Sequence, residues 1–222
     1  MDLSLYLAPG QFIDSAAPNI VAFAREVSAP GKNERERILL LYQKIRDGIL
    51  YDPYVDFLNA ENYQASKVLV AGRGFCVGKA AILSACARVI GVPARVGFAD
   101  VRNHLTSPRL HALLKTDTFI WHSYSDLYLD GKWVKATPAF NGALCERLGL
   151  HALDFDGRND SLFHPYDRAG RRHMEYVRDR GTFADVPCAT IIADFAVYYP
   201  SLRERGGSDG DFQQEAVAGD AG

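Results

Sequence analysis

Between Thr118 and Phe140 the chain reads TFIWHSYSDLYLDGKWVKATPAF, two alternating runs broken by Asp130-Gly131. An Asp-Gly loop of two residues closes a β-hairpin with little freedom of register, because both positions accept positive φ. Leu129 then pairs with Lys132, Tyr128 with Trp133, Asp126 with Lys135 and Tyr124 with Thr137. Alternation along the strands puts His122, Tyr124, Asp126, Tyr128, Trp133, Lys135 and Thr137 on one face. His122 and Thr137 become diagonal neighbours, about 7–8 Å apart at the backbone. Any fold for this chain must therefore hold an antiparallel pair with a histidine near one end.

Upstream, the signal has a helical period. PNIVAFAREVS and NERERILLLYQKIRDGILYD repeat apolar residues at helical spacing, the second through Ile38, Leu41, Tyr42, Ile45 and Ile49. Asn33 followed by Glu36 forms a capping-box pattern. DPYVDFLNAENYQAS reads as a loop or a short turn of helix. In GRGFCVGKAAILSACARVIGVPARV a glycine-bearing loop leads into a helix that opens on Cys76. Cys76, Ala80, Leu83, Ala87 and Ile90 lie on one side, and Gly91 and Pro93 stop the helix. ARVGFADV changes to a strand, NHLTSPRLHALLKTD is an irregular or short helical connection, and the segment from Asn141 to about Arg180 mixes short helix and loop. PCATIIADFAVYYP is a last strand or helix. Helices first and an antiparallel sheet after them make the fold class α+β, with 1–200 as one domain. The glycine-rich stretch 201–222 reads as a disordered tail.

Composition narrows the function classes. Lys and Arg number 25 against 27 Asp and Glu, which gives no electrostatic case for nucleic acid or an anionic membrane. The start shows neither a basic n-region nor a continuous apolar h-region, and a cytoplasmic location follows as the expectation. Cys76, Cys86, Cys145 and Cys188 show no CxxC spacing and should be free thiols. His104, His111 and the FHPYD stretch with His164 and Asp167 lack a tight ligand spacing, so no metal and no cofactor are expected.

Cys76 carries the chemical interest. A helix N-terminus offers unpaired N–H groups and partial positive charge, which favour a thiolate and could hold an oxyanion. A small apolar residue packed at a helix start is the plain alternative, and for His122 it is a strand histidine bonded to a carbonyl. Gly78 is unexpected inside the first turn, where alanine would serve the helix better.

The residues around Cys76 and His122 resemble those of the transglutaminase-like superfamily. GRGFCVGKAAILSACARVIGVPARV is similar to its catalytic-cysteine segment, WHSYSDLYLDGKWVKATP to its histidine strand and turn, and KIRDGILYD to the helix ahead of the cysteine. The likeness spans roughly Ile38 to Phe140. It implies a papain-like fold with Cys76 as nucleophile, His122 as general base and then acid, and acyl transfer from an amide through a thioester. The amide could belong to a peptide, a protein or a small molecule. Hydrolysis is expected over cross-linking, which needs water exclusion and a second amine site. Where the family has Asp in Trp-Val-x-x-Asp-Pro, this chain has Thr137, a hydroxyl that orients an imidazole without stabilising its charge. Asn141 is the alternative third member. Gly74, Gln64 and Tyr124 are candidate substrate-binding positions, with Gln64 or Tyr63 as a second oxyanion donor. An impaired domain that acts as a binding or interaction module is the other reading of Thr137.

Overall fold

The computed structural model describes residues 2–104, 106–163, 165–201 and 212–214. Its centre is helix α4 (Cys76–Val89). Helices α1 (Pro18–Ser28), α2 (Glu34–Gly48) and α3 (Ala65–Ala71) pack on one side of it. On the other lies a sheet of β3 (Ala94–Asn103), β4 (Thr118–Leu129), β5 (Lys132–Ala136) and β6 (Met174–Phe183). The strand order is β5-β4-β3-β6, antiparallel throughout. Mixed helices and an antiparallel sheet agree with the α+β expectation.

The hairpin has the expected register: Leu129 pairs with Lys132, Tyr128 with Trp133 and Asp126 with Lys135. Asp130 and Gly131 both take positive φ, 50° and 82°, as a turn that matches strand twist requires. Residues of the opposite parity face α4, where the Ser125 hydroxyl donates to the Ala80 carbonyl at 2.9 Å.

In α2 the buried side chains are Ile38, Leu41, Tyr42 and Ile45. The Asn33 side chain caps Glu36 N–H at 2.9 Å, while Glu36 reaches back to the Lys32 N–H rather than to the Asn33 N–H. The one-sided reading of α4 needs correction. Every residue from Cys76 to Arg88 is buried, because layers cover both sides of this helix. Lys79 sits inside and donates to the Arg46 and Ile49 carbonyls, closing the last turn of α2.

Several connections resolve into elements. A short parallel pair forms from β1 (Leu50–Tyr51) and β2 (Arg73–Gly74). Helices α5 (Pro108–Leu114) and α6 (Gly142–Arg147) fill two connections, and PCATIIADFAVYYP becomes α7 (Cys188–Tyr198). Most of 201–222 and His164 lie outside the described residues. Within that stretch Phe212 is buried against Tyr51 and Tyr54, and the Gln213 carboxamide donates to the Tyr51 carbonyl at 3.0 Å.

Candidate active site

The loop ahead of Cys76 is built by its glycines and by what crosses them. Gly72 ends α3 in the left-handed conformation, φ 66°, with its N–H on the Val68 and Leu69 carbonyls. Gly74 pairs with Tyr51 across β1 and β2. Gly78 is explained by close approach: a Cβ there would lie 2.9 Å from the Asn62 carbonyl oxygen and from a Val68 methyl. Phe75 occupies the N-cap of α4 and supplies no side-chain cap. First-turn donors are therefore left for other work. The backbone N–H groups of Ser123, Val77 and Cys76 act on the thiol and favour its thiolate.

Those donors do not win. Burial lifts the Cys76 thiol to about 11, so the expected depression is overturned in the free protein. Cys86, deeper in the same helix, is fully buried and is raised by burial with no opposing donor.

His122 follows a break in β4. Ala99 pairs with His122 but Val101 with Phe119, so β4 carries one residue more than β3 across this interval. Trp121 takes φ 58°, a conformation that a bulky residue adopts only when held. A partly buried polar network holds it. The Asp100 carboxylate accepts the Trp121 N–H at 3.0 Å and the Arg180 guanidinium at 2.5 Å. Arg180 also reaches Asp194, which takes the Trp121 indole N–H at 2.7 Å, and the Tyr199 hydroxyl accepts the Ile120 N–H at 2.8 Å. Sequence reasoning missed Asp100, Arg180 and Asp194, because they come together only through the β3–β4–β6–α7 packing. Asp100→Ala is expected to cost about 2–4 kcal/mol of stability by stranding Arg180 and the Trp121 N–H. Denaturant melts beside the wild type measure this.

Burial first, and then His173, lower the His122 imidazole from 6.5 to about 4. In the resting site both the thiol and the imidazole are neutral. The sign for stability follows. Between about pH 6.5 and pH 4 the unfolded chain binds a proton that folded His122 refuses, so stability falls as pH drops through that window, by up to about 3 kcal/mol. Urea midpoints at the two ends, compared with those of His122→Gln, test this; an equal slope in the variant would assign the loss elsewhere.

Two cavities meet at His122. One is lined by both Cys76 and His122, with aromatic and aliphatic side chains such as Tyr51, Phe57, Phe75, Phe119 and Phe195, and by no charged residue among those described. The other, much smaller, is lined by His122 and Thr137 together with Phe163, whose ring meets the imidazole edge-on at 4.9 Å. Nδ1 of His122 and Oγ1 of Thr137 are buried and have no hydrogen-bond partner among the described residues.

The remaining predicted residues are placed elsewhere. The Asn141 side chain accepts the Tyr51 N–H and bonds Gln213, each at 3.3 Å, and it lines neither cavity. Gln64 gives its amide to Asp14 at 2.9 Å, and the Tyr63 hydroxyl donates to the Phe57 carbonyl at 2.7 Å. Tyr124 lies across Gly97, where a Cβ would fall 2.2 Å from its ring, and Lys135 sits over that ring at 5.1 Å. Gly74 shapes the loop through its pairing with Tyr51 and lines neither cavity. Among the described residues no group of three or more His, Cys, Asp or Glu could hold a metal, and no helix is long and apolar enough to cross a membrane.

A family model for the transglutaminase-like superfamily matches residues 21–138. Among solved structures, a candidate cysteine protease from Cytophaga hutchinsonii matches with a TM-score of 0.55 at 16% identity, over 86% of this chain and 50% of that one. A candidate protease from Parabacteroides distasonis matches with a TM-score of 0.39 at 20% identity, over 64% of this chain and 26% of that one. The present chain thus spans half or less of the length of either. The first likeness, at that identity, is one of fold. A search of curated proteins finds no match.

Proposed function

Since the chain belongs to the transglutaminase-like superfamily, we propose that it is a cysteine-dependent acyl-transfer enzyme acting on amides, with hydrolysis as its reaction. The observation that carries this reading is the single cavity lined by Cys76, at the uncapped start of α4, and His122, at the bulge in β4.

The chemistry begins from the neutral pair. As Cys76 Sγ attacks the carbonyl carbon, its proton passes to His122, and the first-turn N–H groups of α4 take the oxyanion. Collapse of the adduct breaks the C–N bond, and His122 returns the proton to the departing amine. The thioester left on Cys76 is attacked by water. His122 takes a proton from that water, the C–S bond breaks, and the proton ends on the thiol. Proton transfer during attack suits this site, because burial disfavours a resting ion pair.

The cavity supports the substrate class. Its described walls are aromatic and aliphatic with no carboxylate among them, so they suit an apolar acyl group and offer nothing to pair with an incoming ammonium. That absence favours water over a lysine amine as acceptor. Four buried free thiols support a reducing compartment.

The test is capture of the acyl-enzyme. Amides of one leaving group, acylated with phenylacetyl, hexanoyl or glutaryl, are offered to the protein and followed by quenched intact mass and peptide mapping. The apolar acyl groups should label Cys76 and the glutaryl should not. A label that survives Cys76→Ala would overturn the assignment. A binding module on the same fold is supported by one observation, the uncharged Thr137 beside a neutral His122. Under that reading the same amides bind but are recovered intact.

A further inference from the structure

We propose that the second cavity, behind His122, binds a small carboxylate of formate or acetate size, which supplies the negative charge that Thr137 lacks. This rests on the reading of Cys76 and His122 as a catalytic pair.

Thr137 and His122 are 1% and 4% exposed and line this cavity together. The Thr137 hydroxyl and His122 Nδ1 are both buried without a partner among the described residues. Buried polar atoms in folded proteins are almost always satisfied, so two unpartnered ones on residues that line the same cavity mark a place for a polar guest. The chemistry of the walls selects the guest. Besides Thr137 and His122, the polar residues described in the lining are His151, His173 and Cys145, and no Asp or Glu is among the described ones. The remainder is apolar, including Phe140, Leu150 and Met174. A small acceptor-rich anion fits such a lining: one oxygen takes the Thr137 hydroxyl, the other the His122 Nδ1–H, and a short hydrocarbon end meets the apolar wall. Water could satisfy the same two atoms but would bring no charge.

The effect on the site follows from charge. A carboxylate against His122 favours imidazolium, which makes the imidazole a stronger acceptor for the Cys76 proton. Burial and His173 now hold that imidazole neutral, so the anion would act against the two effects that keep the resting pair uncharged.

The experiment uses the full chain. Alkylation of Cys76 by iodoacetamide at pH 7 is timed against sodium formate, with sodium chloride holding ionic strength constant. A saturable rise of about tenfold is expected in the wild type, as a neighbouring charge shifts the imidazole by about one pH unit. The rise should vanish in Thr137→Val, which keeps the shape and removes the hydroxyl, and in His122→Ala. A rate that depends on His122 but ignores formate overturns the carboxylate site and leaves the functional reading standing. A rate that ignores both overturns the functional reading as well. Should Thr137→Val fail to fold, saturation transfer from the wild-type protein to labelled formate, displaced by acetate, decides instead. Absence of transfer overturns the proposal.

Discussion

Cys76→Ala should lower amide turnover by about 10³- to 10⁶-fold while the protein keeps its fold. Alanine at the first residue of α4 retains the best helix former and removes one sulfur from a residue only 7% exposed. His122→Ala should cost nearly as much, because without it no imidazole or carboxylate among the described cavity residues is left to accept a proton from a thiol that burial holds at about 11. The sharper expectation is non-additivity: the double variant should be scarcely worse than either single one, since nucleophile and base act as a unit. Independent, multiplying losses would mean that the two residues do not share a reaction. Turnover retained in Cys76→Ala would remove the thiol from the mechanism and with it the proposed function.

Iodoacetamide reports on the same pair without a substrate. A resting thiolate–imidazolium pair would be alkylated fast at mildly acidic pH, and the buried neutral pair reverses that order. The alkylation rate of Cys76 should climb with pH towards about 11 and show no acid plateau. Cys86 should stay inert across the same range, being fully buried with no donor at its sulfur.

What could be read in advance was local. The hairpin register followed from the Asp130-Gly131 turn, whose backbone demands are satisfied by few residue pairs. The buried face of α2 followed from its period, and the start of α4 from the loop before Cys76. What escaped was tertiary. Strand β6 was not anticipated, because it is an edge strand with exposed residues at Tyr176 and Val177 and pairs with β3 far back in the chain. Helix α4 kept no polar face because both of its sides are covered. The pKa direction of Cys76 failed for the same reason. The dipole and N–H groups of a helix start are visible in a sequence, but the depth of burial that opposes them is not. Of the third-member candidates, Thr137 shares a cavity with His122, whereas Asn141 is engaged by Tyr51 and Gln213. The tail segment that supplies Gln213 had no periodicity to announce it.

Thr137→Asp is the variant that separates an enzyme awaiting a charge from a domain that has lost its reaction. It puts a carboxylate into the cavity that His122 lines, where an opposite charge within a few ångströms raises an imidazole by about one to three pH units. The Cys76 thiol should fall below about 11 as the thiolate–imidazolium pair gains ground, and its alkylation at pH 7 should rise about 10- to 100-fold. Turnover should rise with it, and the response to formate should disappear because the cavity is filled from within. Stability is expected to pay part of this, since a carboxylate in an apolar cavity is costly until His122 is charged. The melting point should therefore drop most at alkaline pH, where His122 is neutral, and recover as pH falls and the imidazolium forms. A variant that folds but leaves both alkylation and turnover unchanged, beside an Asn141→Ala variant that loses both, would transfer the third role to Asn141.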